Sequence, residues 1–582
     1  MSVLASWAPF VYYPYMASIA GKKRGGSTYY YLVESARVNG EPRIVSQEYL
    51  GTAEELAAAM RGGGLALPDR VQNREFGAAA AAWGVLEDLD VIAIIDEVTG
   101  ARRSDAGASV GTYLALAALN RVAAPCSKLG FADWWATTAA PRFTKIPGTV
   151  LDHRRFWDAM HAVTLEQLEE ISGRIALAIV ASCGLDCSSV SLDMTNFATF
   201  IDSSNPKAPV AQRGKAEQKR IDLRLVGLGL VVTRDGGIPL TWHSYPGDRP
   251  DVTQFTDMIG QLKARHEAIT AACGQQPAGM TVVFDAGQNS AGNFEFLAGT
   301  GLHWIGSVPA SDCPDLTALP ASKRVIIDKD RFGGLTGYDT RRVVYGAEHR
   351  TILTHSPELH AAQAAGFDGT TLAKVGKKLD ELAATLTRGK TRRSREKVQA
   401  EIETIIRKPW VRRVITWQLA GQQPKELRLT WQHDTAARDA LEEAIFGKHI
   451  LITSHDDWPV PEVVAGYRSQ SQAEDCFRQM KNTHVVSFSP MHHWTEHNIR
   501  VHVFTCVLAL QIARLMRRTA RHAGLDLSVR VILAELAGIS ETVLLYEGDK
   551  GRPRAHRMLT DTTPQQDKLG VIFGLDRYAP RR

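Results

Sequence analysis

Residues 189–200 read SVSLDMTNFATF, and the fold turns on them. Apolar Val190, Leu192 and Met194 alternate with polar Ser191, Asp193 and Thr195, the two-residue period of a β-strand. Asp193 therefore projects from the polar face, either as part of a solvated edge or as a group kept for chemistry. The runs that follow, DLRLVGLGLVVT (222–233) and GIPLTWHSYPG (237–247), flank the turn Asp235-Gly236-Gly237 and continue an antiparallel meander. Next come an amphipathic helix at 250–269 with Pro250 near its first turn, and a short buried strand in GMTVVFDAG (279–287) that ends at Asp285. A helix near 290–299 and a strand at 302–309 complete an α/β core whose order is three strands, helix, strand, helix, strand.

Upstream, residues 1–75 open with a hairpin-like pair, STYYYLVESARV (27–38) and PRIVSQEYLG (42–51), around the tight-turn signal Asn39-Gly40, followed by a helical AEELAAAM (53–60). Residues 76–183 carry helical periodicity in runs such as VGTYLALAALNRVA (110–123) and LEQLEEISGRIALAIVAS (165–182). Downstream, 310–447 reads as a β-rich, basic insertion before GKHILITS (447–454) resumes a buried strand. VVAGYRSQSQAEDCFRQMKN (463–482) then returns to helix. The expected domains are a hairpin and helix module at 1–75, a helical domain at 76–183, core segments at 184–309 and 448–525 separated by the 310–447 insertion, and a helical C-terminal tail ending in 526–582.

A chain of 582 residues, 44% hydrophobic, has ample material for several cores. Its longest apolar run, VHVFTCVLALQIARLM (501–516), is flanked by Arg500 and broken by Arg514, short of the ~18 uninterrupted residues of a membrane span, so no membrane partner is expected. Aromatic and Pro residues precede the first charges, Lys22, Lys23 and Arg24, the reverse of a secretory signal, and the expected location is cytoplasmic. Seven scattered cysteines, with Cys183-x3-Cys187 the one close pair, suggest reduced thiols and no zinc ribbon. Net charge is only +5, yet between Thr387 and Arg413 ten Lys or Arg face three Glu, a surplus larger than that of the whole chain. That segment is either a solvated charged helix, since KVQAEIETII (397–406) has helical periodicity, or a track for a polyanion. Arg514, Arg517, Arg518 and Arg521, spaced i, i+3, i+4 and i+7, form a basic ridge opposite the apolar face of their helix.

The acids carry the chemistry. Asp285 stands at the carboxyl end of its strand, where ligands gather in open α/β sheets, although an Asp before a turn Gly is also an ordinary turn residue. Glu474 follows Ser471 by three residues, the spacing of a capping box that closes a helix on itself. It also shares a polar helix face with Tyr467, Arg478 and Lys481, beside an apolar stripe of Ala473, Cys476, Phe477 and Met480. If that helix packs across the sheet, Glu474 meets both aspartates. Three carboxylates suit hard divalent cations, and two such ions about 3.5 to 4 Å apart can activate a water and stabilise a leaving phosphate oxygen.

At these residues the chain resembles the DDE transposases of bacterial insertion sequences, in the group whose ribonuclease H-like core carries a largely β insertion before the final Glu. Of that family's Tyr-x2-Arg-x3-Glu-x6-Lys signature, Tyr467, Glu474 and Lys481 are present, while Gln470 stands in the Arg place, with Arg468 or Arg478 as the candidate substitute. LDMTNF (192–197) and VVFDAGQNS (282–290) resemble the first and second acidic motifs, and YPGDRPD (245–251) resembles the stretch between them with Asp248 for Asn. MHHWTEHNIRVHVF (491–504) resembles the segment after the Glu, so the likeness covers about 185–515. The resemblance implies cleavage at transposon ends and strand transfer into target DNA, with Asp193, Asp285 and Glu474 holding two Mg2+ or Mn2+ ions per site and no nucleotide cofactor. It further implies double-stranded terminal repeats and target DNA as partners, a dimer or larger assembly on DNA, nucleoid association when bound, and DNA binding by 1–75 and 76–183. Tyr467, Arg468, Arg478 and Lys481 would contact DNA near the cut. Arg388, Lys390, Arg392, Arg393 and Arg395 would track the backbone, with Trp410 placed to stack on an unpaired base or else to sit in a core.

Three rivals remain on the sequence. His493-Trp494-Thr495-Glu496-His497 matches H-x-x-E-H, a zinc protease helix. The same fold also serves metal-dependent nucleases that cut without joining and DNA-binding relatives that have lost catalysis. Nucleotide hydrolysis has no support, because Val375-Gly376-Lys377-Lys378 lacks both the earlier Gly and the Ser/Thr of a phosphate loop.

Overall fold

The alternation at 189–200 becomes strand β1 (Ser189–Thr199), an interior strand of a nine-stranded mixed sheet. The other strands are β2 (Arg224–Thr233), β3 (Pro239–Pro246), β4 (Thr281–Val283), β5 (His303–Val308), β6 (Val325–Ile326), β7 (Thr336–Val344), β8 (Ala347–His355) and β9 (Lys448–Thr453). Their spatial order is β6-β7-β8-β9-β5-β4-β1-β2-β3. The computed structural model describes residues 16–25, 27–38, 41–55, 68–100, 107–202, 204–214, 222–273, 279–388, 393–546 and 554–581.

The meander β1-β2-β3 is antiparallel, whereas β4 runs parallel to β1 and β5 parallel to β4. Parallel neighbours need crossovers, and the helices Phe255–Cys273 and Ala291–Ala298 supply them. Every residue of β2, RLVGLGLVVT, is buried, as its unbroken apolar run requires of a strand covered on both faces. A Cβ on Gly229 would stand 2.9 Å from the Met258 sulfur, so this glycine lets the helix Phe255–Cys273 lie close on the sheet. Phe284 at the end of β4 packs against Phe255, Phe294 and Trp304 with ring centroids 5.0, 6.0 and 6.2 Å away, welding both crossover helices to the strands.

Thr495 caps the 27-residue helix Glu496–His522, which packs against β3 and the N-terminal helices Val110–Ala123 and Leu165–Cys183. It alone among the described helices is long and apolar enough to cross a membrane, but its apolar window is buried inside the protein. Core packing accounts for that apolarity.

The structure departs from expectation in the insertion and in the tail. Within 310–447, β6, β7 and β8 extend the main sheet beyond β5 and β9 and do not form a separate β-rich domain. Among its described residues the rest of the segment is mostly helical, with a hairpin of Ile415–Ala420 and Arg428–His433. Leu379, Leu382 and Leu386 on one helix and Val398 and Ile402 on the next gather around Val411, Leu427, Leu429, Leu441 and Phe446, a second core built on helical spacing. The tail past 526 is also mixed: strands Ser540–Tyr546 and Arg554–Leu559 pair with each other and, through the former, with Arg70–Glu75. Residues Glu541–Leu559 and Pro580–Arg582 belong to one compact unit with Met1–Asn73, and Arg74–Ser540 with Thr560–Ala579 form the other. In the smaller unit, Ser27–Val38 and Glu41–Thr52 pair antiparallel, Val38 opposite Glu41, with Met16–Arg24 on the far edge. Asn39 and Gly40 lie outside the described residues, as does most of AEELAAAM.

Candidate active site

Both faces of β1 are covered, and the cover on its polar face is the helix Ser471–Lys481. Ser191 and Thr195, flanking Asp193 on that face, are buried, which removes the solvated-edge reading. Three contacts fix the helix and the two residues before it to the strand: Ser191 Oγ to Ser469 Oγ at 3.0 Å, Gln470 Nε2 donating to the Leu192 carbonyl at 2.8 Å, and Lys481 Nζ donating to Thr195 Oγ1 at 2.7 Å. Ala473, Cys476, Phe477 and Met480 are buried beneath it, as their spacing demanded. The capping box does not form. Ser471 is already the first helical residue and its hydroxyl donates to the Arg468 carbonyl at 2.9 Å, leaving exposed Glu474 to face a cavity.

That cavity, about 570 Å3, is lined by Asp193, Asp285 and Glu474 together with Asp251, Lys481 and Arg478. Residues up to 288 positions apart in the chain thus meet because β1 and β4 are sheet neighbours and the Glu474 helix packs on β1 and β2. Each aspartate is oriented by backbone: Met194 N–H donates to Asp193 Oδ1 at 2.8 Å and Gly287 N–H to Asp285 Oδ1 at 2.9 Å. Burial pushes the Asp193 carboxyl up to about 7; the Met194 hydrogen bond opposes this, and neighbouring Asp285, Glu474 and Asp251 add to it. Asp285 is raised for the same reasons, burial first, then the opposing Gly287 bond, then Asp251.

Sequence reasoning does not place Asp251 in the site, although YPGDRPD contains it. Its Oδ1 accepts from the Tyr245 hydroxyl at 2.6 Å, and burial followed by the Asp251 charge pushes that phenol up. Tyr245 reaches it across Gly227, where a Cβ would stand 2.2 Å from the ring. Pro250 followed by an acid that opens a turn five residues past the end of β3 is the available signal.

The oxygen-only donor set suits a hard divalent cation in chemistry. In spacing it is open: among the described residues no three His, Cys, Asp or Glu side chains stand close enough to grip one ion. Neighbouring carboxylates that raise the affinity of Asp193 for its proton are the electrostatic situation that a cation relieves.

The expected DNA contacts divide. Lys481 and Arg478 line the cavity, Arg478 also pairing with Asp475 at 2.7 Å. Tyr467 is half-buried and bonded to Ser307, with its hydroxyl pushed up by burial and, after that bond's opposing effect, by Asp285 and Glu474. Arg468 is turned elsewhere, its guanidinium 4.6 Å from the Phe332 ring centre, and Gln470 is buried as a strut, so Arg478 alone of the substitutes reaches the cavity. In the insertion Arg388 is exposed, Arg393 pairs with Glu401, and Arg395 donates to the Gly421 carbonyl at 2.6 Å; Lys390 and Arg392 lie outside the described residues. Trp410 packs in the second core, 5.5 Å from the Phe446 ring, at the edge of a cavity of about 430 Å3.

The zinc-protease reading fails on geometry. The helix begins only at Glu496, so His493 is not on it. His497 Nε2 lies 2.9 Å from the Met160 carbonyl, and Glu496 pairs with Arg500 at 2.8 Å. His493 is buried against His502, its basicity pushed down to about 3 by burial and then by Lys128 and Arg121.

No protein-family model matches the chain, and no curated protein does. Among solved structures it is similar to the cryo-EM structure of the piggyBac transposase synaptic complex with hairpin DNA, at 8% identity and a TM-score of 0.37, over 81% of this chain and 82% of that one. A TM-score of that size leaves the reading of the site to its own residues.

Proposed function

We propose that the acidic cavity is the catalytic centre of a DNA transposase with a ribonuclease H-like core, cutting transposon ends and joining them to target DNA. The observation that carries this reading is the meeting of Asp193, Asp285 and Glu474 in one cavity beside Lys481. Asp193, Asp285 and Glu474 would hold two Mg2+ or Mn2+ ions, with Asp251 adjoining. With the ions bound, the chemistry supplied is activation of an attacking oxygen and neutralisation of the departing 3′ oxygen.

The chain's own groups do the rest. Thr195 holds the Lys481 ammonium at the cavity wall, where it attracts a backbone phosphate as a point charge, and exposed Arg478 adds a second cation at the mouth. Gln470 and Ser469 lock the helix against β1, so Glu474 keeps its position relative to Asp193. Phe477 and Met194 form the apolar part of the wall.

The test is Mg2+-dependent cleavage and strand transfer on linear DNA carrying the inverted repeats that flank the reading frame. Asp193→Asn, Asp285→Asn and Glu474→Gln are each expected to lose both steps while retaining end binding. Cleavage without joining would identify a nuclease, and binding without cleavage an inert relative. Full cleavage by any one variant removes that residue from the ligand set.

A further inference from the structure

The four arginines of the helix Glu496–His522 do not form a uniform ridge. Arg514 is fully buried, donating Nε to the Gly236 carbonyl at 2.8 Å and Nη2 to Gln472 Oε1 at 2.5 Å. Arg518 donates to Asp235 Oδ2 at 2.8 Å and to the Cys183 carbonyl at 3.0 Å. Together they clamp the β2–β3 turn, where a Cβ on Gly237 would stand 2.2 Å from Arg514 Nη2 and one on Gly236 would stand 3.2 Å from Arg518 Cδ. Gly236 and Gly237 hold positive φ, +86° and +65°, so the clamp depends on their lacking side chains.

The remaining cations are available. Arg517 makes one long contact, 3.5 Å to Asp475, and its buried Nε has no partner among the described residues. Arg521 and His522 are exposed and have no side-chain partner among the described residues. Arg517, Arg518, Arg521 and His522, with Asp235 and Gln472, line a cavity of about 290 Å3. Counting Arg478 and Arg514, which share Asp475 with Arg517, four guanidinium groups pair with two carboxylates, and Arg521 adds a fifth cation paired with neither.

We infer that this cavity binds a phosphoryl group, with Arg517 and Arg521 as its donors and the clamped Asp235-Gly236-Gly237 turn as its rigid wall. Guanidinium groups offer paired N–H donors matched to phosphate oxygens, and a cationic cavity with a fixed wall does not need to be ordered by its ligand. The helix Ser471–Lys481 lies between this cavity and the acidic one, presenting Gln472 to the first and Glu474, Arg478 and Lys481 to the second. Asp475 joins Arg478 to Arg514 and Arg517, so the cationic surface continues from one cavity to the other. On the function proposed above, on which this part rests, the phosphate belongs to the DNA backbone outside the cleaved bond; free phosphate or pyrophosphate has the same chemistry.

The double variant R517Q/R521Q separates the cases, because it spares Arg514, Arg518 and every group lining the acidic cavity except through shared Asp475. Against wild type, in a Glu474→Gln background, the slope of log Kd for duplex DNA against log salt should become shallower by about 1 to 2, near 0.9 per phosphate lost. An unchanged DNA slope with loss of pyrophosphate-induced thermal stabilisation would retain the cavity as a phosphoryl site and assign it to free anion. If neither readout moves while the double variant melts like wild type, the inference is overturned. Failure of the proposed function shows separately, as wild-type protein that cuts no DNA, and leaves the pyrophosphate readout intact.

Discussion

Replacing Asp193 by Asn should make the metal-free protein more stable while removing its activity. In the unfolded chain an aspartate loses its proton near pH 4, whereas in the folded protein Asp193 keeps it up to about 7, mainly through burial and then through Asp285, Glu474 and Asp251. Between those values the folded state binds more protons than the unfolded state, so stability is greatest below about pH 4 and falls as pH rises through 7. A difference of about three pH units at roughly 1.4 kcal/mol per unit sets a ceiling of about 4 kcal/mol. Solvent entering an open cavity screens part of this, leaving about 2 kcal/mol. The substituted amide retains an Oδ1 for the Met194 N–H that Asp193 holds at 2.8 Å and carries no charge, so it should recover that amount. Melting at pH 7.5 in chelator, then with increasing Mg2+, reads it out: the Asp193→Asn variant starts higher and gains little, while wild type starts lower and gains with metal by mass action. A variant that melts at or below wild type in chelator would show that the carboxylate is not strained by its neighbours and refute the electrostatic reasoning.

Gly227→Ala should cost roughly 1–3 kcal/mol and weaken activity, because its Cβ would meet the Tyr245 ring at 2.2 Å and displace the hydroxyl that holds Asp251; a native melting temperature with full activity would sink this. Burial, reinforced by His303, holds His455 neutral down to about pH 4, so from pH 6.5 downward the unfolded chain takes up a proton that the folded chain refuses, and stability is lost on acidification. His455→Gln should flatten the fall in urea-unfolding stability between pH 7 and 5 by roughly 1 to 2 kcal/mol, and an unchanged slope would assign the acid sensitivity elsewhere. Lys481→Ala in a Glu474→Gln background should weaken duplex binding by about tenfold and make its salt slope shallower by about 1; equal binding would remove Lys481 from the phosphate contacts.

The core is legible because its signals are local. The alternation around Asp193, the apolar run 225–232 and the Asp235-Gly236-Gly237 turn each specify a strand or a reversal without help from distant residues, and the order of strands and helices through 309 is the order observed. The insertion misleads because its short polar strands draw attention from the three- and four-residue spacing of Leu379, Leu382, Leu386, Val398 and Ile402. Asp251 escapes because an acid after a proline looks like a turn until Tyr245 is seen bonding to it.

What the chain determined by itself, then, was which segments extend, which coil, and that Asp193, Asp285 and Glu474 stand on three separate elements, since periodicity and turn chemistry act over a few residues. Whether those acids meet, whether an arginine reaches a cavity as Arg478 does or covers a ring as Arg468 does, and whether Arg514 is a surface cation or a buried clamp were settled only in three dimensions. The physical reason is that a polar group's partners and exposure depend on which remote element packs against it, and register across a sheet or a helix face is fixed by the sum of those contacts rather than by any one stretch of chain.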